Sequence, residues 1–134
     1  KIRNKIDNQV YNFAIKKKIK IIGICHGAQF LAKKSKLKLE KKTSTVGNHK
    51  VFFKLNKTKF SKTVNSYHAD TIKFSKISYV NIFGMTKDKK VEAFHVKNKK
   101  SLGIMWHPER YSKIKRIDKI LIKKFYATNS IVSW

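Results

Sequence analysis

The sequence has 134 residues, 41% of them hydrophobic, which indicates one folded domain and excludes a disordered tail. Its single cysteine excludes an internal disulfide, and no run approaches the roughly 20 apolar residues that cross a bilayer, so we expect a cytoplasmic protein without a membrane span. The formal charge of +26 comes mainly from lysines dispersed along the chain, with arginine only at positions 3, 110 and 116, which favours a solvated surface over a nucleic-acid site.

The first predicted elements are a helix and a strand. Residues 1–17 predict a helix with apolar side chains at helical spacing, and we expect this face to pack on a sheet. The side chains concerned are Ile2, Ile6, Val10, Phe13 and Ala14. Residues 19–24 are apolar and rich in β-branched side chains, which predicts a buried strand of a parallel sheet.

The cysteine follows this strand directly, in the run Gly-Ile-Cys-His-Gly-Ala-Gln at residues 23–29, and good helix formers continue to residue 34. A nucleophile on a sharp strand-to-helix turn has this pattern, and we expect Gly23 and Gly27 to avoid collisions in the turn. The helix N-terminus should favour the Cys25 thiolate, and the His26 backbone N–H could donate to an oxyanion. The alternative is that Cys25 is an ordinary buried small side chain.

The middle of the chain predicts four strands, at residues 49–55, 60–66, 79–83 and 91–96. A turn over residues 86–90 joins the last two in an antiparallel hairpin. We interpret His49 and His95 as surface or packed residues.

A second motif follows the strand predicted at residues 101–106, namely His107-Pro108-Glu109-Arg110. In an extended segment alternate side chains point to the same side, so His107 and Glu109 can meet. A cysteine nucleophile needs a base and a group that orients the base. Taken singly, His107 could cap a strand and Glu109 could face solvent. Beyond this motif, apolar spacing over residues 114–125 predicts a closing helix.

The two motifs together, Gly-Ile-Cys-His-Gly-Ala-Gln and Met-Trp-His-Pro-Glu-Arg, resemble those of the class I glutamine amidotransferase superfamily. The chain is most similar to the γ-glutamyl hydrolase branch, peptidase family C26, which includes γ-glutamyl-γ-aminobutyrate and γ-glutamyl-CDP-amidate hydrolases. The resemblance runs from residue 3 to residue 111. Val64-Asn65-Ser66-Tyr67-His68 is similar to the family's substrate-holding segment, although Asn65 and Ser66 also suit a turn and Tyr67 could simply pack.

The resemblance implies an α/β fold, a flavodoxin-like three-layer sandwich whose mostly parallel sheet carries an antiparallel hairpin. It implies one domain over residues 1–134 that lacks its N-terminal strands and a glycine-rich loop with a second oxyanion donor. We expect the sequence to be a fragment of a longer product; a separate chain or a degenerate remnant are the alternatives. The implied catalytic residues are Cys25, His107 and Glu109, with the His26 backbone at the oxyanion. The implied substrate contacts are Gln29, Ser66 and His68.

The implied reaction is hydrolysis of a γ-glutamyl amide through a cysteine thioester, with a small γ-glutamyl compound or glutamine as substrate. One alternative is a glutaminase subunit that delivers ammonia to a synthetase partner, and another is an inactive remnant or basic binding module. We expect no cofactor and no metal, because cysteine and histidine do not cluster in a zinc pattern.

Overall fold

A computed structural model describes residues 1–41 and 46–127, with the backbone alone described at position 46. The helices are α1 (Ile2–Lys16), α2 (His26–Lys34) and α3 (Arg116–Ala127). The strands are β1 (Ile21–Ile24), β2 (Leu39–Lys41), β3 (Val46–Leu55), β4 (Thr58–Tyr67), β5 (Asp70–Lys73), β6 (Val80–Met85), β7 (Lys90–Val96) and β8 (Ser101–Ile104). Short 3₁₀ turns occupy Lys97–Lys99 and Pro108–Arg110. The predicted helices and strands are confirmed, and β2 and β5 are additional.

The strands form one sheet in the order β1-β8-β7-β6-β3-β4, with β5 also paired to β7, and β2 paired to β5. Strands β1 and β8 are parallel, and the other pairings of the described strands are antiparallel. The predicted hairpin is β6–β7. The antiparallel part is larger than this hairpin because β3 and β4 form a second, longer one.

Helices cover both faces of the sheet, so the α/β three-layer fold expected from the sequence is confirmed. One core contains Ala28 and Leu31 of α2 packed with sheet residues such as Phe94. The core on the other face contains Ile117 and Leu121 of α3. Among the described residues no helix is both long and apolar enough to span a membrane.

The predicted helix α1 is confirmed, but of the five side chains predicted to pack only Ala14 is buried. Ile2, Ile6, Val10 and Phe13 are 51–78% exposed. The helix packs through Ala14 and through Tyr11, which was not among the five and lies edge-to-face on Phe30 at a centroid distance of 5.6 Å. Periodicity identifies an apolar stripe, but it does not identify what covers that stripe.

Candidate active site

The two sequence motifs meet at one edge of the sheet. Ile24 at the end of β1 is in register with Ile104 at the end of β8, and the two strands are parallel. Cys25, directly after β1, donates its backbone N–H to the Ile104 carbonyl at 2.8 Å. The chain beyond Ile104 leads within three residues to His107. The carboxyl ends of two hydrogen-bonded strands therefore bring the two motifs to the same place.

Cys25 has a strained backbone, with φ 51° and ψ −100°, a conformation that few non-glycine residues adopt. The residue caps α2, and its carbonyl accepts from the Gln29 N–H at 3.0 Å. A Cβ atom at Gly23 would lie 2.6 Å from the Gly27 backbone, so the turn requires glycine there. A Cβ at Gly27 would meet no described atom within 4 Å, so the expectation that Gly27 avoids a collision is wrong.

The pKa of the Cys25 thiol is raised, whereas the sequence predicted that the helix N-terminus would favour the thiolate. Burial raises its pKa, and the charges of Glu92 and Glu109 raise it further. A hydrogen bond from the His26 backbone N–H and the charge of Arg110 act in the opposite direction. The expected helix N-terminal effect is therefore present but smaller than the cost of burial, and the net shift is upward. A group that removes the proton is needed for the thiol to react near neutral pH.

His107 and Glu109 form the contact that the motif predicts, with His107 Nδ1 2.5 Å from Glu109 Oε1. The expected extended backbone is wrong, because Pro108–Arg110 forms a 3₁₀ turn. Burial alone raises the pKa of Glu109, but the His107 hydrogen bond and charge outweigh it and lower the pKa. Because an ionised carboxylate only accepts hydrogen bonds, Nδ1 carries the proton and Nε2 is left for proton transfer.

The backbone of His107 is held in place by Asn65, a contact that the sequence did not reveal. The Asn65 side chain accepts from the His107 N–H at 2.7 Å and donates to the His107 carbonyl at 2.9 Å. Its own backbone N–H donates to the Tyr111 hydroxyl at 2.9 Å. The signal that could have identified Asn65 is its position in the segment over residues 64–68, which resembles the family's substrate-holding segment. Turn formation was an equally good interpretation of this residue.

Tyr67 links the His107 ring to Arg110. The Tyr67 ring lies edge-on to the His107 ring at 5.8 Å, and the Arg110 guanidinium lies 4.3 Å from the Tyr67 centroid. Stacking of this kind orients both side chains. Arg110 thereby places a positive charge within electrostatic reach of Cys25.

The residues predicted to contact substrate lie in different surroundings. Gln29, one helical turn after Cys25, donates from Nε2 to the Asp70 carbonyl at 3.2 Å. His68 contacts the same carbonyl through Nδ1 at 2.9 Å. Ser66 is buried on β4 opposite Gly47, next to Asn65. The structure thus connects Gln29 with His68, and it places Ser66 beside Asn65, whose side chain bonds the His107 backbone.

His26 occupies the first position of α2, and its backbone N–H contacts the Cys25 thiol. Its ring points elsewhere, with Nε2 3.4 Å from Asp7 Oδ2 of α1. The backbone N–H, rather than the ring, therefore lies at the Cys25 thiol.

A buried acid, Glu92 on β7, lies close to this region and was not recognised in the sequence. It is 1% exposed, and its Oε1 lies 3.1 Å from His49 Nε2 and 3.7 Å from His68 Nε2. Burial raises the pKa of Glu92, but hydrogen bonds and charges of the two histidines outweigh that effect and lower it. Across residues 1–41 and 46–127, no three His, Cys, Asp or Glu side chains are arranged to hold a metal ion.

Comparison with protein families gives one match over nearly the whole chain. The sequence model for "Glutamine amidotransferase class-I" matches residues 2–127. A γ-glutamyl-CDP-amidate hydrolase of Campylobacter jejuni is 32% identical over 127 residues, which are 95% of this chain and 60% of that protein. The chain therefore spans less than two thirds of this relative.

Solved structures share the fold. A GMP synthase component of Thermoplasma acidophilum superposes with a TM-score of 0.72 at 20% identity, over 90% of this chain and 62% of that one. A glutamine amidotransferase of Thermotoga maritima gives 0.67 at 21% identity, over 92% and 54%. At these identities the likeness establishes the fold alone.

Proposed function

Because this chain belongs to the class I glutamine amidotransferase family, we propose that it forms the catalytic part of a cysteine hydrolase that cleaves γ-glutamyl amide bonds. The observation that carries the proposal is the 2.5 Å contact of His107 Nδ1 with Glu109. This contact lies just beyond β8, which pairs with β1, and Cys25 directly follows β1. The name of the 32% identical Campylobacter jejuni relative supports a γ-glutamyl amide as substrate.

In the proposed reaction the Cys25 thiol gives its proton to His107 Nε2 as the sulfur attacks the γ-carbonyl carbon. The oxyanion that forms accepts a hydrogen bond from the His26 backbone N–H. His107 then protonates the nitrogen, the C–N bond breaks and the amine leaves. His107 next removes a proton from water, which attacks the thioester, and glutamate departs as the thiol is restored. Glu109 keeps the His107 ring oriented through both half-reactions.

Burial of the thiol agrees with this sequence of steps. Because the pKa of Cys25 is raised, the resting nucleophile carries its proton, and transfer to His107 accompanies attack. The glutamyl end of the substrate, with its α-amino and carboxylate groups, is assigned to the side of the site that contains Gln29, Ser66 and His68. Tyr67 and Arg110 pack on each other next to the His107 ring.

We further propose that the complete domain contains strands in addition to those described. The exposed stripe of α1 leaves four apolar side chains in solvent, namely Ile2, Ile6, Val10 and Phe13. In the described sheet, β1 is an end strand with one edge unpaired. Exposed strand edges are normally covered or paired in native proteins. Additional strands beside β1 would cover both features and supply a second oxyanion donor and a wall of the substrate pocket.

The proposal is tested by release of glutamate from a series of γ-glutamyl amides by the full-length protein. Wild-type protein should release glutamate, and Cys25→Ala should abolish release while retaining the fold. Absence of release from every amide, or undiminished release by Cys25→Ala, would contradict the proposal. Glutamine belongs in the series, because preference for it over bulkier γ-glutamyl amides would favour the alternative of a glutaminase subunit that feeds ammonia to a synthetase.

A further inference from the structure

Glu92 is a buried carboxylate in β7, between the apolar side chains of Val91 and Ala93. Its neighbours on β7 are both buried, Val91 in the core that contains α2 residues and Ala93 in the core that contains α3 residues. The carboxylate meets two imidazoles from other parts of the chain, His49 of β3 and His68, which follows β4. A buried charge is costly unless it is paired. Three polar side chains converging on one buried point indicate a role beyond packing.

The orientation of His68 follows from its partners. A backbone carbonyl only accepts hydrogen bonds, so Nδ1, 2.9 Å from the Asp70 oxygen, carries a proton and donates. The opposite ring nitrogen, Nε2, then faces Glu92 Oε1 at 3.7 Å. The side chain is 2% exposed, and both nitrogens are directed at protein groups. His68 is therefore poorly placed to contact a substrate directly.

The Asp70 carbonyl links His68 to Gln29. The same oxygen accepts from Gln29 Nε2 at 3.2 Å, which fixes the amide nitrogen toward Asp70. The carboxamide oxygen is the remaining acceptor of a side chain one helical turn after Cys25. A γ-glutamyl substrate carries an α-ammonium group, which only donates hydrogen bonds. The negative charge of Glu92, close enough to affect Cys25, favours a cation in the same region.

We propose that Glu92 is a positioning residue that holds His68 against the Asp70 carbonyl, so that Gln29 presents its carboxamide oxygen to the substrate's α-ammonium group. The inference rests on the proposed γ-glutamyl hydrolase function and extends it to specificity. Glu92 thereby sets the preference for substrates that carry a free α-amino group. His49 supplies the second partner of the buried carboxylate.

The test compares two substrates of the full-length protein, γ-glutamyl anilide and glutaryl anilide, which differ only in the α-amino group. Wild-type protein should prefer the γ-glutamyl compound, measured as the ratio of the two kcat/KM values. Glu92→Gln removes the buried charge that faces the two histidines and should lower this ratio about tenfold. Gln29→Leu should lower it equally, and the double variant should lower it no further.

Two further variants keep the test decisive. His68→Leu should lower the ratio, whereas His68→Asn, which retains a donor near the position of Nδ1, should preserve it; this pair also serves if Glu92→Gln fails to fold. His95→Gln changes a buried residue of β7 whose ring packs on Phe125 of α3, and it should leave the ratio unchanged. An unchanged ratio in folded Glu92→Gln overturns the inference alone. Hydrolysis of neither anilide by wild-type protein contradicts the proposed function and this inference with it.

Discussion

The side chain of Asn65 makes two hydrogen bonds to the backbone of His107, accepting from its N–H at 2.7 Å and donating to its carbonyl at 2.9 Å. This pairing joins β4 to the turn that carries the proposed base. The segment over residues 64–68 therefore has a structural role, because Asn65 fixes the position of His107.

Replacing Asn65 should therefore affect both activity and stability. Asn65→Ala leaves two backbone groups of His107 without their partner, which should lower the free energy of unfolding by about 1–3 kcal/mol. We expect kcat/KM to fall about tenfold or more, because the base loses its position. Asn65→Asp retains the acceptor and loses the donor, so it should lie between wild type and Asn65→Ala. Urea unfolding and glutamate release measure the two effects, and wild-type values for Asn65→Ala would contradict the assignment.

The charge of Arg110 should accelerate reactions of the thiol. The guanidinium lowers the pKa of Cys25, so its removal raises that pKa further and reduces the thiolate fraction. Arg110→Gln should therefore react with iodoacetamide more slowly at pH 7.5, as measured by peptide mass spectrometry. Arg110→Lys keeps the charge and is the matched control. A rate for Arg110→Gln equal to that of Arg110→Lys would refute the electrostatic effect.

His95 should make the fold sensitive to acid. Burial lowers its pKa to about 4, and the charges of Lys97 and Lys20 act in the same direction. An unfolded histidine has a pKa near 6.5, so the unfolded state binds more protons between about pH 4 and 6.5. The free energy of unfolding should fall by roughly 3 kcal/mol as pH drops through that window, and should be independent of His95 above it.

The control for this pH dependence is His95→Gln, which cannot titrate. Urea unfolding at pH 7, 5.5 and 4.5 should show a smaller loss of stability on acidification in this variant than in wild type. Parallel losses in the two proteins would show that another group dominates. The ring of His95 packs on Phe125, so comparison of the slopes, rather than of absolute stabilities, isolates its protonation.

The exposed stripe of α1 should be buried in the complete protein. Phe13→Glu should cost more than about 2 kcal/mol of unfolding free energy in the full-length protein, because it places a charge in an apolar contact. In the 134-residue chain, where Phe13 is 58% exposed, the cost should be below about 0.5 kcal/mol. Asn12→Glu introduces the same charge at an exposed position of α1 that is not part of the stripe, and it is the matched control. Equal losses of unfolding free energy for Phe13→Glu in the two proteins would refute the proposal that the α1 stripe is covered in the full-length protein.

Local patterns predicted the parts of the site that depend on neighbouring residues. The apolar runs of β1 and β8, the turn at Cys25 and the contact of His107 with Glu109 follow from short-range spacing. Strands β2 and β5 are as short as β1 and β8 or shorter, and their sequences, LEK and DTIK, lack the apolar runs that identified those two.

The contacts of Glu92 with His49 and His68 could not be predicted, because they depend on the pairing register of strands that are distant in sequence. Glu92 and His49 are far apart in sequence, and β6 lies between their strands in the sheet. Propensity carries no information about such contacts. The same limit explains why Asn65 was interpreted as a turn residue, because its partner His107 lies on another element.

The most direct test of the central claim is mass-spectrometric detection of covalent labelling at Cys25 by a diazo-ketone analogue of glutamine. The diazo carbon of the analogue takes up the thiol's proton, a transfer assigned to His107, and the sulfur displaces dinitrogen to form a thioether. The account predicts rapid labelling of Cys25 in the full-length protein and labelling about 100-fold slower in His107→Ala. Equal labelling rates in the two proteins, or no labelling in wild type, would contradict it.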